Sequence, residues 1–168
     1  MTPDNGRIEA PFRIRSAAER DIPAVVDLWR DFMAYHRRLD PYFTLRPDGH
    51  RRWARFLRKN LADPDWEILL AVADPSPIGY CMIRSIAPNP VLVSGRIGFI
   101  QDLAVAAAHR RRKIGTALVR KAETWFRRRG VVRIELDVAA RNPASQLFWR
   151  QMGFAPHLER LAKPATEA

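Results

Sequence analysis

Between Asp102 and Val119 the chain reads DLAVAAAHRRRKIGTALV. Leu103 and Val105 alternate with their neighbours in the period of two that suits a strand. From Ile114 onward, Ala117, Leu118, Ala122 and Trp125 recur at the spacing of one helix face. A strand that passes through so short a turn into a helix lays that helix back on its own sheet, so the segment demands an α/β layer arrangement. It also leaves a helix N-terminus, with unpaired N–H groups and the positive end of its dipole, beside a basic turn that can hold a phosphate. Arg110, Arg111 and Arg112 add charge there, successive amides from Arg110 to Thr116 can form a concave nest, and Gly115 admits an oxygen close to the backbone. Taken alone, the turn is better read as a solvated basic loop before a core helix.

The flanking patterns extend this layer. Phe12 to Arg15 reads as a first strand, and Ile22, Val25, Val26, Trp29, Phe32, Met33 and His36 form an amphipathic stripe that Asp40-Pro41 closes. Ser16 or Asp21 is the expected cap of that helix. Trp53, Phe56, Leu57 and Leu61 mark a second helix, ended before Asp63-Pro64. Residues 66–73 and 78–86 then form a hairpin around Asp74-Pro75-Ser76-Pro77, and 95–105 resumes as a strand. Gly130 stops the helix after the basic turn; Val132, Ile134, Leu136 and Val138 alternate as another strand. A helix opens at Asn142-Pro143 and stops at Gly153, and 157–162 is read as a last strand. The expected architecture is a single α/β domain over 11–162, with a central mixed, mostly antiparallel sheet and helices on both faces. Residues 1–10 and 163–168 are read as flexible termini.

Composition narrows the functional classes. No apolar run approaches the roughly 20 residues of a membrane helix, and the first ten residues, with Asp4 and Glu9, do not read as a signal peptide. Cys81 is the one cysteine, so no internal disulfide forms and a reducing cytoplasm fits. The four histidines are scattered without ligand spacing, so no metal is expected. The net charge of +11 rests on 25 arginines and only 4 lysines. That skew reads as compositional bias before it reads as a nucleic-acid footprint.

Two separated motifs together resemble the GNAT superfamily of acyl-CoA-dependent N-acyltransferases. One is Leu103-Ala104-Val105 followed by Arg110-Arg111-Arg112-Lys113-Ile114-Gly115, similar to a Leu-x-Val strand and a Gln/Arg-x-x-Gly-x-Gly/Ala helix start. The other is Asn142 with Trp149-Arg150-Gln151-Met152-Gly153-Phe154, similar to an Asn and a helix ending Tyr-x-x-x-Gly-Phe. The resemblance spans about Trp66 to Phe154 and implies a GNAT-like fold that transfers an acetyl group from acetyl-CoA to a primary amine of a small molecule or protein. It implies that main-chain groups of Leu103 and Val105 bind the pantetheine arm, and that the Leu103 N–H faces the thioester oxygen. The amides of Arg110, Arg111, Arg112, Lys113, Ile114, Gly115 and Thr116 would bind the pyrophosphate, and Asn142, Ser145 and Trp149 would contact the arm. Lys113 stands at the pattern's first glycine; it is read as already helical, where a lysine costs nothing.

For the base, the resemblance points to Asp137, at the position of a proposed catalytic Glu in protein-acetylating members. Glu135 is read on the same strand face, and a salt bridge to one of the many arginines is the competing reading for both. Asp102, similar to the acid of a Glu-Asp-Leu run in small-amine acetyltransferases, is a third candidate, against a plain strand-end hydrogen bond. Many relatives carry, at the position of Trp149, a Tyr that protonates the departing thiolate; an indole N–H donates a hydrogen bond but no proton. Tyr35, Tyr42 or Tyr80, water, or an unaided thiolate would have to substitute. Tyr35, Tyr42 and Phe43 line an acceptor pocket or pack a core, and His36 is read as a core histidine. The basic surface disfavours a polyamine acceptor and favours an acidic or neutral one. A non-catalytic acyl-CoA-binding or nucleic-acid-contacting module of the same fold is the alternative, and whether the chain forms a homodimer is open.

Overall fold

The stripe that opens at Ile22 becomes α1 (Ile22–Leu39), with Pro23 in its first turn, where the missing N–H costs nothing. The expected cap does not form. Asp21 makes no side-chain bond into α1 but is gripped by both terminal nitrogens of Arg15, at 2.6 and 2.8 Å, and accepts the Ala18 N–H. That grip, chiefly the hydrogen bonds from Arg15, holds the Asp21 carboxyl down at about 2. In the computed structural model, residues 11–91, 93–163 and 165 are described. The segments read as flexible termini lie mostly outside them. The chain forms two compact units, one ending at Asp137 and one beginning at Val138.

The first unit holds a five-stranded sheet in the order β1 (Arg13–Ser16), β2 (Trp66–Ala73), β3 (Ser76–Ile86), β4 (Arg96–Val105), β5 (Val131–Leu136). The first three pairings are antiparallel and β4–β5 is parallel, which gives the expected mixed sheet. Strand alternation sorts two cores. Ile68, Leu70, Val72, Tyr80, Met82 and Ala104 face α1 and α2 (Gly49–Leu61), where Val25, Trp29 and Leu57 are buried. Leu69, Ala71, Cys81, Ile83 and Ile100 take the opposite face, toward α3 (Ile114–Arg128) with buried Leu118, Val119, Ala122 and Phe126. Helices therefore cover both faces. A buried leucine or phenylalanine in either layer contributes about 1.5–3 kcal/mol. Gly98 marks how tightly α3 sits, since a Cβ there would lie 2.6 Å from the Phe126 ring.

The second unit contains α4 (Pro143–Gln151), which begins at Asn142 and ends before Gly153, at φ +90°. Two strand expectations fail. β5 stops at Leu136, so Asp137 and Val138 lie beyond it, both exposed. Residues 157–162 form no strand: Leu158 and Leu161 are three apart, exposed, and have no strand in their own unit to pair with.

Candidate active site

The two halves of β4 are built differently. From Ile97 to Ile100 the strand is paired on both sides, with β3 and with β5. Beyond Ile100 the β5 ladder ends, while the β3 ladder continues to Gly79↔Val105. Ile83 faces Ile100 and Met82 faces Asp102, so Gln101 is an extra residue, a β-bulge. Uninterrupted alternation from Ile100 would send Asp102 under α3. The bulge instead turns Asp102 to the face of Tyr80 and Met82, the side of α1.

Main-chain direction follows from one hydrogen bond. Ala106 N–H donates to the Ile78 carbonyl at 2.8 Å, toward β3. By alternation, the N–H and C=O groups of Leu103 and Val105 point away from β3, into the gap that β5 does not fill. The Val105 carbonyl does accept from that open side, at 3.1 Å from Arg110 Nε. The gap thus presents a free strand edge, the arrangement to which an extended chain of amides can add.

The turn at the end of β4 departs from expectation. Lys113 is not helical: it takes φ +60° at the cap of α3, and Arg111 takes φ +64°. Left-handed backbone costs a side-chain-bearing residue roughly 1–2 kcal/mol. Left-handed residues alternating in a turn can aim successive amides at one centre, the geometry of an anion nest. No side chain caps α3, and the N–H groups of Ile114, Gly115 and Thr116 are the first-turn donors that have no acceptor within the helix. The first Ala117 N–H bond closes back on the Lys113 carbonyl at 3.0 Å.

Asp102 is the ionisable group that this strand places most unusually. Its carboxylate accepts the Tyr80 hydroxyl at 3.2 Å. Burial pushes the Asp102 carboxyl up to about 7, against the opposing pull of that bond. Tyr80 is fully buried, and desolvation with the neighbouring carboxylate raises its phenol well above the usual value, so it remains a donor. Asp102 is therefore poised to exchange a proton near neutrality. Glu135 instead pairs with Arg133 at 2.7 Å, the salt bridge that competed with its catalytic reading. Asp137 is exposed, just past the end of β5.

On α1, His36 Nδ1 lies 2.9 Å from the Phe32 carbonyl, and its ring packs with Phe32, Tyr35 and Phe43, as a core histidine does. Tyr35 is half-buried, and the guanidinium groups of Arg38 and Arg110 lie 5.5 and 5.9 Å from its ring centre. Tyr42 is 85% exposed. Within the second unit, the Asn142 side chain accepts the Ser145 N–H at 3.1 Å, so its oxygen caps α4. Trp149 is buried, edge-on to Phe148 at 4.9 Å and Phe154 at 5.3 Å. Among the described residues no cluster of His, Cys, Asp or Glu could hold a metal, and no helix is long and apolar enough to cross a membrane.

Sequence reasoning missed the bulge at Gln101 and the two left-handed residues. It named Asp102 but not its half-buried place against the Tyr80 hydroxyl.

An aminoglycoside N(6')-acetyltransferase type 1 from Klebsiella aerogenes is 31% identical over 66% of this chain and 76% of its own length. Among solved structures, an aminoglycoside 6'-N-acetyltransferase from Acinetobacter haemolyticus superposes with a TM-score of 0.71 at 22% identity, covering 93% of this chain and 99% of that one. An aminoglycoside N-acetyltransferase solved in complex with CoA also gives 0.71, at 18% identity, over 96% and 99%. The model of the Acetyltransferase (GNAT) family matches residues 24–154. The chain belongs to that family, whose members move an acetyl group onto an amine.

Proposed function

We propose that the chain acetylates a primary amine by direct attack on acetyl-CoA held along β4, with Asp102 as the base. The observation that carries this reading is the free β4 edge running into a left-handed turn at the start of α3, with a carboxyl of raised pKa on the same strand. An extended amide chain ending in a pyrophosphate fits such an edge and such a nest. Acetyl-CoA has both parts and supplies the activated acetyl group.

In this reading Leu103 and Val105 pair with the pantetheine amides through their outward main-chain groups. The Leu103 N–H donates to the thioester oxygen as charge develops on it. The amides from Arg110 to Thr116 receive the pyrophosphate, and Lys113 adds charge beside it. An alkyl ammonium with a pKa near ~10 must lose a proton before it attacks, and Asp102, ionised above about 7, accepts it directly or through one water. Asp102 is preferred to Asp137 because it lies on the strand that carries Leu103, on the face toward α1. Asn142, Ser145 and Trp149 are proposed contacts of the arm, as the family pattern implies. Since an indole gives up no proton near neutrality, the thiolate departs on its own, its pKa near ~8.5 making it a tolerable leaving group, or takes a proton from water.

The test is thiol release from acetyl-CoA across a panel of alkyl amines, amino acids, peptides and aminoglycosides, beside calorimetric binding of CoA. Amine-dependent release is the expected result. Tight CoA binding without release for any acceptor would leave a binding module of this fold, and salt-sensitive nucleic-acid binding without CoA binding would overturn the acyl-CoA reading.

A further inference from the structure

The helices toward which the proposed base Asp102 turns carry a charge that the acetyltransferase reading leaves unused. From Ile22 to Leu61, the stretch that forms α1 and α2, there are nine arginines and lysines against four aspartates. Of those aspartates, Asp40 receives the Tyr42 N–H, and Asp48 is paired with Arg52 at 2.8 Å and Arg46 at 3.8 Å. The surplus is therefore cationic. An aminoglycoside or any polyamine carries several ammonium groups, and a site that takes one needs carboxylates.

Two of these cations are placed, not merely numerous. Arg110 is tied by Nε to the Val105 carbonyl, at the open end of β4, and its guanidinium lies over Tyr35. Arg38, one turn along from Tyr35 on α1, brings a second guanidinium to the same ring. Among the described residues neither forms a salt bridge with a carboxylate. Like charges gathered at one phenol repel, and each guanidinium keeps a planar edge of donors suited to a carboxylate or phosphate. Tyr35 links the pair to the reacting centre, because Arg110 spans from α1 to the carbonyl two residues beyond Leu103.

We infer that Arg38 and Arg110, set about Tyr35, recognise an anionic group on the acceptor, so that the favoured substrate is an amine that also bears a carboxylate or a phosphate. This rests on the acetyltransferase reading above. Arg38 is the cleaner probe, since the main chain of Arg110 opens the turn assigned to the pyrophosphate.

The experiment compares 6-aminohexanoate with its amide, 6-aminohexyl phosphate with 6-aminohexanol, and both pairs with an aminoglycoside, at saturating acetyl-CoA. The anionic member of a pair should win by at least about tenfold in kcat/KM, and the pair with the larger ratio identifies the anion. Arg38→Ala should raise KM for the anionic acceptor and bring that ratio toward one, with KM for acetyl-CoA and the thermal midpoint unchanged, and Arg38→Lys should restore part of it. If Arg38 serves only the C-terminal end of α1, Arg38→Ala lowers stability and leaves the ratio intact, which overturns the inference. An aminoglycoside or neutral amine preferred over every anionic acceptor overturns it too, while the acetyltransferase reading stands. Acetyl-CoA binding with no transfer to any amine overturns both.

Discussion

The two halves of β4 share one strand and one pair of flanking helices, yet they do opposite work. Ile97 to Ile100 is closed in: paired with both neighbours, with Gly98 pressed under Phe126 and Phe99 facing Arg84, whose guanidinium lies 5.3 Å from both Phe99 and Trp66. Gln101 to Val105 is open: one side lacks a partner strand, and a carboxyl, Asp102, joins Ala104 on the face toward α1. A single inserted residue separates them. A strand can thus serve as core and as binding edge if its register against β3 shifts at the boundary between the two.

The comparison can be broken from either side. The largest effect is expected on deleting Gln101. Regular pairing would return with Asp102 still opposite Met82, but the bend beside the β4–β5 gap would go; the variant should fold and lose at least about tenfold in CoA affinity, as read by calorimetry. Next, Gly98→Ala should cost about 1–3 kcal/mol in denaturant unfolding through its clash with Phe126, while the kcat of the protein that remains folded stays close to wild type. Lys113→Gly should relieve left-handed strain and gain about 1 kcal/mol of stability, yet raise KM for acetyl-CoA several-fold by losing a charge at the nest. The smallest change is expected for Trp149→Tyr, which should hold or modestly raise turnover if position 149 faces the sulfur. If it only lowers the thermal midpoint, the indole is purely a packing residue between Phe148 and Phe154.

Periodicity carried most of the architecture, because α1 and α3 each bury one continuous stripe, and β2, buried on both faces, shows as an unbroken apolar run. The strand-to-helix turn was legible for the same reason. What stayed hidden depends on partners distant in the chain. Gln101 is a bulge only because β3 fixes the register on both sides of it, and nothing local to QDL signals this. The φ of Lys113 was misread because a lysine gives no warning of left-handed backbone, whereas a glycine would have. Asp137 sits in a clean alternation that continues past Leu136, but the ladder with β4 has already ended there. Asp102 was visible as an acid beside Leu103, and its raised pKa came only with the burial that folding imposes.

That burial also sets a sign for stability. The ordinary carboxyl value of 3.8 becomes about 7 in the fold, so the native state holds its proton longer than the unfolded chain. Stability from this group falls as pH rises between those values, and Asp102→Asn should therefore be the more stable protein at about pH 8. Asp21 works oppositely: lowered to about 2, it stabilises above 3.8 and loses that contribution as pH falls toward 2.

The most direct test of Asp102 as the base is the pH dependence of kcat/KM for the acceptor in wild type, Asp102→Asn and Asp137→Asn. The wild type should gain activity through an ionisation near 7. Asp102→Asn should lose that limb and roughly 100- to 10,000-fold in rate while folding normally, and Asp137→Asn should keep both. An Asp102→Asn enzyme that retains the limb and the rate, or an Asp137→Asn enzyme that loses them, would contradict the account.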